Sequence, residues 1–156
     1  MAPLPSIYCI DTSSIFEWYI RTYPPSILPK LPERIEGLIV AGRMRAPKAV
    51  LDEIKAGDDC HTWAKGQTDL FVEESTGVQQ RVRKLMAEHH NPAKPLKGIN
   101  GADPFVIALA QVERCCVVTQ ETFAPRKIKI PDVCAALSIE CIDVLELMRR
   151  EKWKFG

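Results

Sequence analysis

The sequence predicts an α/β fold in which a central, mainly parallel sheet is flanked by helices. Two observations predict it. Short apolar runs alternate with segments of helical periodicity, as strands and their crossover helices do. Two of those runs, Ile7-Tyr8-Cys9-Ile10 and Cys115-Cys116-Val117-Val118-Thr119, are short, rich in β-branched, aromatic and cysteine side chains, and suit buried strands.

The first strand leads into Thr12, Ser13 and Ser14, three candidate helix caps, and a helix over 13–22 that Tyr23-Pro24-Pro25 must end, because proline lacks the amide donor and restricts its predecessor. Ile35, Leu38 and Ile39 repeat at helical spacing between Pro32 and Gly42. Met44-Arg45-Ala46 reads as a short edge strand or an extended link into a helix over 47–54, where Val50, Leu51 and Ile54 form an apolar stripe flanked by Glu53. Asp58-Asp59-Cys60-His61 has no second ligand pair at a zinc spacing and starts a helix instead. A strand near 69–73 and an amphipathic helix over 78–89 follow. The stretch 91–101, with two prolines, two glycines and two lysines, is a surface loop. Asp103 before Pro104 has the form of an N-cap and first helical residue, opening a helix over 105–112 that is apolar around most of its circumference and therefore central. A basic, proline-bounded loop at 123–131, a short helix over 131–137, a last strand at 139–142 and a closing helix over 144–150 complete the chain.

Four acids stand where strands give way to helices or loops: Asp11, Glu53, Asp103 and Glu121. Asp11 and Glu121 leave their strands at the carboxyl end, the edge at which open parallel sheets bind ligands. A helix leading into the next parallel strand starts above the same edge, so Asp103 belongs there too. Singly, each has an ordinary explanation as a cap, loop or surface acid. Together they imply a charged site: like charges ~4 Å apart repel by about 1 kcal/mol in water and about 4 kcal/mol at an effective dielectric near 20. A divalent cation or protonation must relieve that cost, and all-oxygen ligands favour Mg²⁺ or Mn²⁺ over zinc.

The 156 residues, 46% hydrophobic and 26% charged, suit one globular domain spanning 1–156, without internal repeat or low-complexity linker. A net charge of +1 argues against a general polyanion-binding coat, so nucleic-acid contacts must be local. There is no apolar run of about eighteen residues and no signal-like amino terminus, which predicts a cytoplasmic, soluble protein with no membrane partner. The six cysteines lack a Cys-x-x-Cys pair and read as free, buried thiols.

Tyr8-Cys9-Ile10-Asp11-Thr12-Ser13-Ser14, Ala49-Val50-Leu51-Asp52-Glu53-Ile54, Asn100-Gly101-Ala102-Asp103-Pro104-Phe105-Val106-Ile107-Ala108 and Val117-Val118-Thr119-Gln120-Glu121, in that order, resemble the PIN-domain nucleases, and within them the VapC-type toxins. The resemblance implies a three-layer sandwich and a Mg²⁺- or Mn²⁺-dependent endoribonuclease. Asp11 and Asp103 would be the principal ligands, with Glu53 and Glu121 completing the ring directly or through water. Thr12 or Ser13, and Thr119, would orient them. Glu121 departs from the family's usual Asp by one methylene. RNA would be met by Lys94 and Lys97 before Asp103 and by Arg126, Lys127 and Lys129 beside Glu121; Arg81, Arg83 and Lys84 on one helix are a further candidate contact, for which a solvated surface is the favoured reading. A small antitoxin protein over the acidic groove and a homodimer would be the partners. The competing class is a catalytically silent PIN-like module that binds RNA or protein. An Asp-based phosphotransferase with Asp11 as nucleophile fits less well, because Asp11-Thr12-Ser13 supplies no second Asp.

Overall fold

The computed structural model describes residues 6–55, 58–89, 101–122 and 128–155. Strand β1 (Tyr8–Ile10) is buried throughout its length, as its uninterrupted apolar composition requires. It is the middle of five parallel strands, with β2 (Met44–Pro47) and β3 (Phe71–Val72) on one side and β4 (Cys116–Val118) and β5 (Cys141–Ile142) on the other, in the order β3-β2-β1-β4-β5. Tyr8 sits between Met44 and Cys116, and Val117 lies opposite both Cys9 and Cys141. This is the α/β architecture that the alternating pattern predicts, and the central parallel sheet flanked by helices that the PIN resemblance implies.

The helices are α1 (Thr12–Phe16), continued by a π-helical turn over Glu17–Arg21, then α2 (Leu31–Val40), α3 (Lys48–Glu53), α4 (Asp59–Lys65), α5 (Thr76–His89), α6 (Asp103–Glu113), α7 (Ile130–Ala136) and α8 (Val144–Arg150). Three differences from the sequence-based expectations matter. Met44-Arg45-Ala46 is not an edge: β2 is hydrogen-bonded to β1 on one side and to β3 on the other. A two-residue β3 is too short to announce itself in sequence, so the real edge lay hidden. The first helix is capped by Asp11 itself, whose side chain accepts the Ser14 amide, rather than by the hydroxyls after it. Asp103 is the first helical residue of α6; the N-cap position is Ala102, which has no side chain to cap with.

α6 fills the expected central place, with Val106, Ile107, Ala108, Leu109 and Ala110 all buried. Around it the core gathers Tyr8, Ile15, Trp18, Leu31, Ile35, Met44, Leu70, Ile130 and Leu147, each almost wholly removed from solvent. Asp58 caps α4 by accepting the His61 amide at 2.8 Å, which is the role its position predicted. All six cysteines, each among the described residues, are free, and only Cys141 is partly exposed. Among the described residues no helix is long and apolar enough to cross a membrane.

Candidate active site at the carboxyl edge of the sheet

The strand order reverses between β1 and β4, because the chain adds β2 and β3 on one side and β4 and β5 on the other. In open parallel sheets the crevice outside the carboxyl ends at such a reversal is where ligands bind. Asp11, the residue after β1, and Thr119, the residue after β4, face each other across it.

Asp11 is 4% exposed. Its Oδ1 accepts the Ser14 amide at 2.9 Å, its Oδ2 accepts the Thr119 hydroxyl, and the Ser13 hydroxyl lies 2.8 Å from both oxygens. Burial pushes the carboxyl above its ordinary pKa, opposed by the donors Thr119, Ser14 and Ser13. Those donors are themselves fixed. Ser13 Oγ accepts the Gln120 amide at 3.0 Å, and Thr119 Oγ1 accepts the Glu121 amide at 3.1 Å. Each hydroxyl therefore receives from the backbone and gives its proton to Asp11, which locks their direction. Thr12 takes no part: its buried Oγ1 has no hydrogen-bond partner among the described residues.

Glu121 is half-buried, and its Oε2 accepts the Ile130 amide at 3.0 Å, at the start of α7. Its pKa is raised, first by burial and then by the Asp11 charge, against the Ile130 amide and the Lys129 ammonium. The two carboxylates thus share one field. The Lys129 ammonium, a cation expected next to Glu121, acts on its charge. Lys94, Lys97, Arg126 and Lys127 lie outside the described residues.

On the other side of β1, Glu53 at the end of α3 reaches across and accepts the Ala102 amide at 2.6 Å, one residue before Asp103. An acid from a neighbouring helix thereby does what a local cap would have done for α6. Gly101 makes this possible. Its φ is +57°, and a Cβ there would lie 3.0 Å from Glu53 Oε1. Replacing Gly101 by Ala is expected to cost about 1–2 kcal/mol for the left-handed backbone alone and to push Glu53 away. The check is a thermal melt alongside a nuclease assay, with Gly101→Asn, which tolerates this backbone better, as the comparison.

The Asp11 charge thus reaches Glu121, and Glu53 holds the backbone one residue before Asp103. Among the described residues no three or more His, Cys, Asp or Glu side chains are gathered closely enough to hold a metal ion. The donor chemistry, all carboxylate oxygen with two pKa values raised, nevertheless suits a hard divalent cation. Ser13 shares a single proton between both Asp11 oxygens, so turning that hydroxyl frees a lone pair on one of them.

Gln120 is a positioning residue that sequence reasoning passed over. Its side-chain amide donates to Glu17 Oε2 at 2.9 Å, in the π-helical turn, and its carbonyl accepts the Val144 amide at 2.8 Å, at the start of α8. It ties the π-helical turn and the start of α8 to the segment that follows β4. Beside Glu121 opens a cavity of about 500 Å³, walled by Thr122, Pro131, Ile139, Cys141 and Asp143 among others.

Residues 8–155 match the family model described as a domain of unknown function, DUF4411. The chain belongs to the DUF4411 family. No curated protein matches it. Among solved structures, it is similar to PAE2754 from Pyrobaculum aerophilum, with a TM-score of 0.54 at 14% identity over 93% of this chain and 88% of that one. It is also similar to VapBC2 from Rickettsia felis, a structure bound to a DNA fragment from its promoter, with a TM-score of 0.49 at 17% identity over 78% of this chain and 96% of that one. At such identities the first likeness speaks for the fold of this family member, and the site must be argued from its own residues.

Proposed function

We propose that this chain is a PIN-type, metal-dependent ribonuclease that hydrolyses RNA phosphodiester bonds. The observation that carries the proposal is Asp11: a buried carboxylate at the point of strand reversal, held by Ser13, Ser14 and Thr119 and coupled to Glu121. The Asp11 charge adds to the burial that raises Glu121, and a second acid so close suits a site for a cation and a phosphate better than a structural role.

Asp11 and Asp103 would hold Mg²⁺ or Mn²⁺, with Glu53 and Glu121 completing the site directly or through water. The ion would lower the pKa of a water and neutralise charge on the phosphate oxygens. The chain's own contribution is orientation. Ser13 and Thr119 keep Asp11 in one rotamer, and Glu53 fixes the backbone that starts α6 and so the place of Asp103. Lys129 supplies a positive charge where an RNA phosphate would pass.

The motif resemblance to VapC-type toxins adds a small antitoxin protein that covers the acidic crevice, and a homodimer, to the proposal. Cleavage of labelled single-stranded RNA with Mg²⁺, Mn²⁺ or EDTA is the test. Cutting that depends on the metal is the expected result. A folded protein that cuts no RNA with either ion would replace the nuclease by a silent PIN-like binding module.

A further inference from the structure

We infer that the chain has a second nucleic-acid contact, a basic groove between α5 and α6 that binds the phosphate backbone of single-stranded RNA away from the acidic crevice. The inference takes its ligand from the ribonuclease reading above.

The groove has a volume of about 620 Å³, and its walls include Gln80, Arg81 and Lys84 from α5 and Gln111, Val112 and Arg114 from the end of α6. Three cations and no acid line it. Arg81 and Lys84 are one turn apart on α5, on a face beside the one that buries Val78 and Leu85. Arg114 terminates α6 in the left-handed region, at φ 57°. None of the three takes part in an ion pair among the described residues, and Glu113, the neighbour of Arg114 in sequence, is paired with Arg45 at 3.0 Å.

The uncharged side chains of the groove suit an anion as well. Gln80 and Gln111 supply neutral amides that donate to phosphate or sugar oxygens without adding charge. In a chain of net charge +1, three unneutralised cations in one concavity are a local concentration, not a general coat.

Geometry links the groove to the site. α6 starts at Asp103 in the acidic region and ends beside Arg114, and its 11 residues span about 16 Å. A single strand whose scissile phosphate lies at the carboxyl edge can run along the α5–α6 face and be gripped several nucleotides away. A protein partner with an acidic segment would meet the same charges, but the two glutamines, which suit phosphate and sugar oxygens alike, favour a nucleic-acid backbone.

The test reads binding, not cutting. Fluorescence anisotropy of a labelled single-stranded RNA is followed in EDTA over a salt series, for wild type and for Arg81→Gln/Lys84→Gln/Arg114→Gln, with circular dichroism melts of both. Three lost phosphate contacts are expected to weaken binding at low salt by about tenfold or more and to flatten the slope of log K against log salt by roughly 2. Arg83→Gln, on the same helix but outside the groove, is expected to change the slope by less than the loss of any one groove cation. An unchanged affinity and slope in the folded triple variant overturns the inference, and so does an Arg83→Gln effect as large as that of the groove residues. A protein that binds through the groove yet cuts nothing leaves the inference standing and removes the nuclease; one that cuts normally with an unchanged slope does the reverse.

Discussion

Asp11→Asn and Asp103→Asn are each expected to lower metal-dependent RNA cleavage on the order of 10³-fold, about 4 kcal/mol of transition-state stabilisation. Either substitution keeps the size of the side chain and removes the charge. The two variants differ in what else they disturb. Asp103 opens α6 at its positive end, so its neutral form loses about 0.3–1 kcal/mol of charge–dipole stabilisation there. At Asp11 the consequence is deeper. The Ser13 and Thr119 hydroxyls already accept backbone amides and give their protons to the carboxylate. An Asn amide turned toward either would confront donor with donor, at about 1–3 kcal/mol for each buried group left unsatisfied. The measurement is single-turnover cleavage with saturating Mn²⁺, paired with chemical denaturation. Full activity in either folded variant would sink the assignment of that residue to the site.

In EDTA, the stability difference between wild type and Asp11→Asn is expected to shrink as pH rises above the ordinary carboxylate range, and Mn²⁺ is expected to restore it. Burial raises the folded-state pKa of Asp11, and burial followed by the Asp11 charge raises that of Glu121. A carboxyl whose pKa is higher folded than unfolded holds its proton more tightly in the native state. Its contribution to stability is therefore fully present below the unfolded value, about 3.9 for Asp and 4.3 for Glu, and is lost as pH climbs through the raised folded value. The loss is about 1.4 kcal/mol per pH unit between the two. Other acids run the opposite way. The Arg150 hydrogen bond lowers Glu140, and Glu151 is lowered by Arg43 and Tyr8 in spite of its burial, so both stabilise above the unfolded value and fail in acid. Subtracting the Asp11→Asn profile removes their common background. An ion bound only by the folded state at a hundredfold excess over its Kd adds about 2.7 kcal/mol, which for a chain of this size is roughly 5–10 °C in Tm. A Tm that ignores Mn²⁺ in wild type, or rises equally in Asp11→Asn, would remove the metal from this crevice.

Much of this was legible in one dimension because the relevant forces act over a few residues. Short apolar runs rich in β-branched and aromatic residues suit buried strands, and Asp11 and Glu121 lie just beyond two of them, so their place at the carboxyl edge needed no tertiary knowledge. The helical stripe of α2, the proline stop after the first helix and the apolar circumference of α6 are likewise consequences of local geometry and period. Cysteine spacing was sufficient to predict free thiols.

What escaped the sequence is everything that depends on distant residues meeting. That β2 is interior follows from a two-residue strand 24 positions after it pairing along its outer side, as the Ala46 and Phe71 or Pro47 and Val72 registers show. Asp103 looked like a cap because Asp before Pro usually is one; the fold instead brings Glu53 from α3 to the Ala102 amide and makes Asp103 the first helical residue. Glu121 sits against the start of α7 and Glu53 against the start of α6, because each side chain settles where a backbone amide lies within reach. The sequence by itself determined the fold class, its helices and the carboxyl edge on which the acids stand, since periodicity, proline and strand polarity are properties of neighbouring residues. Only the tertiary structure decided strand order, the hydrogen-bonded setting of Asp11 and the hold of Glu53 on the start of α6, since those depend on contacts between residues as far apart as 11 and 119.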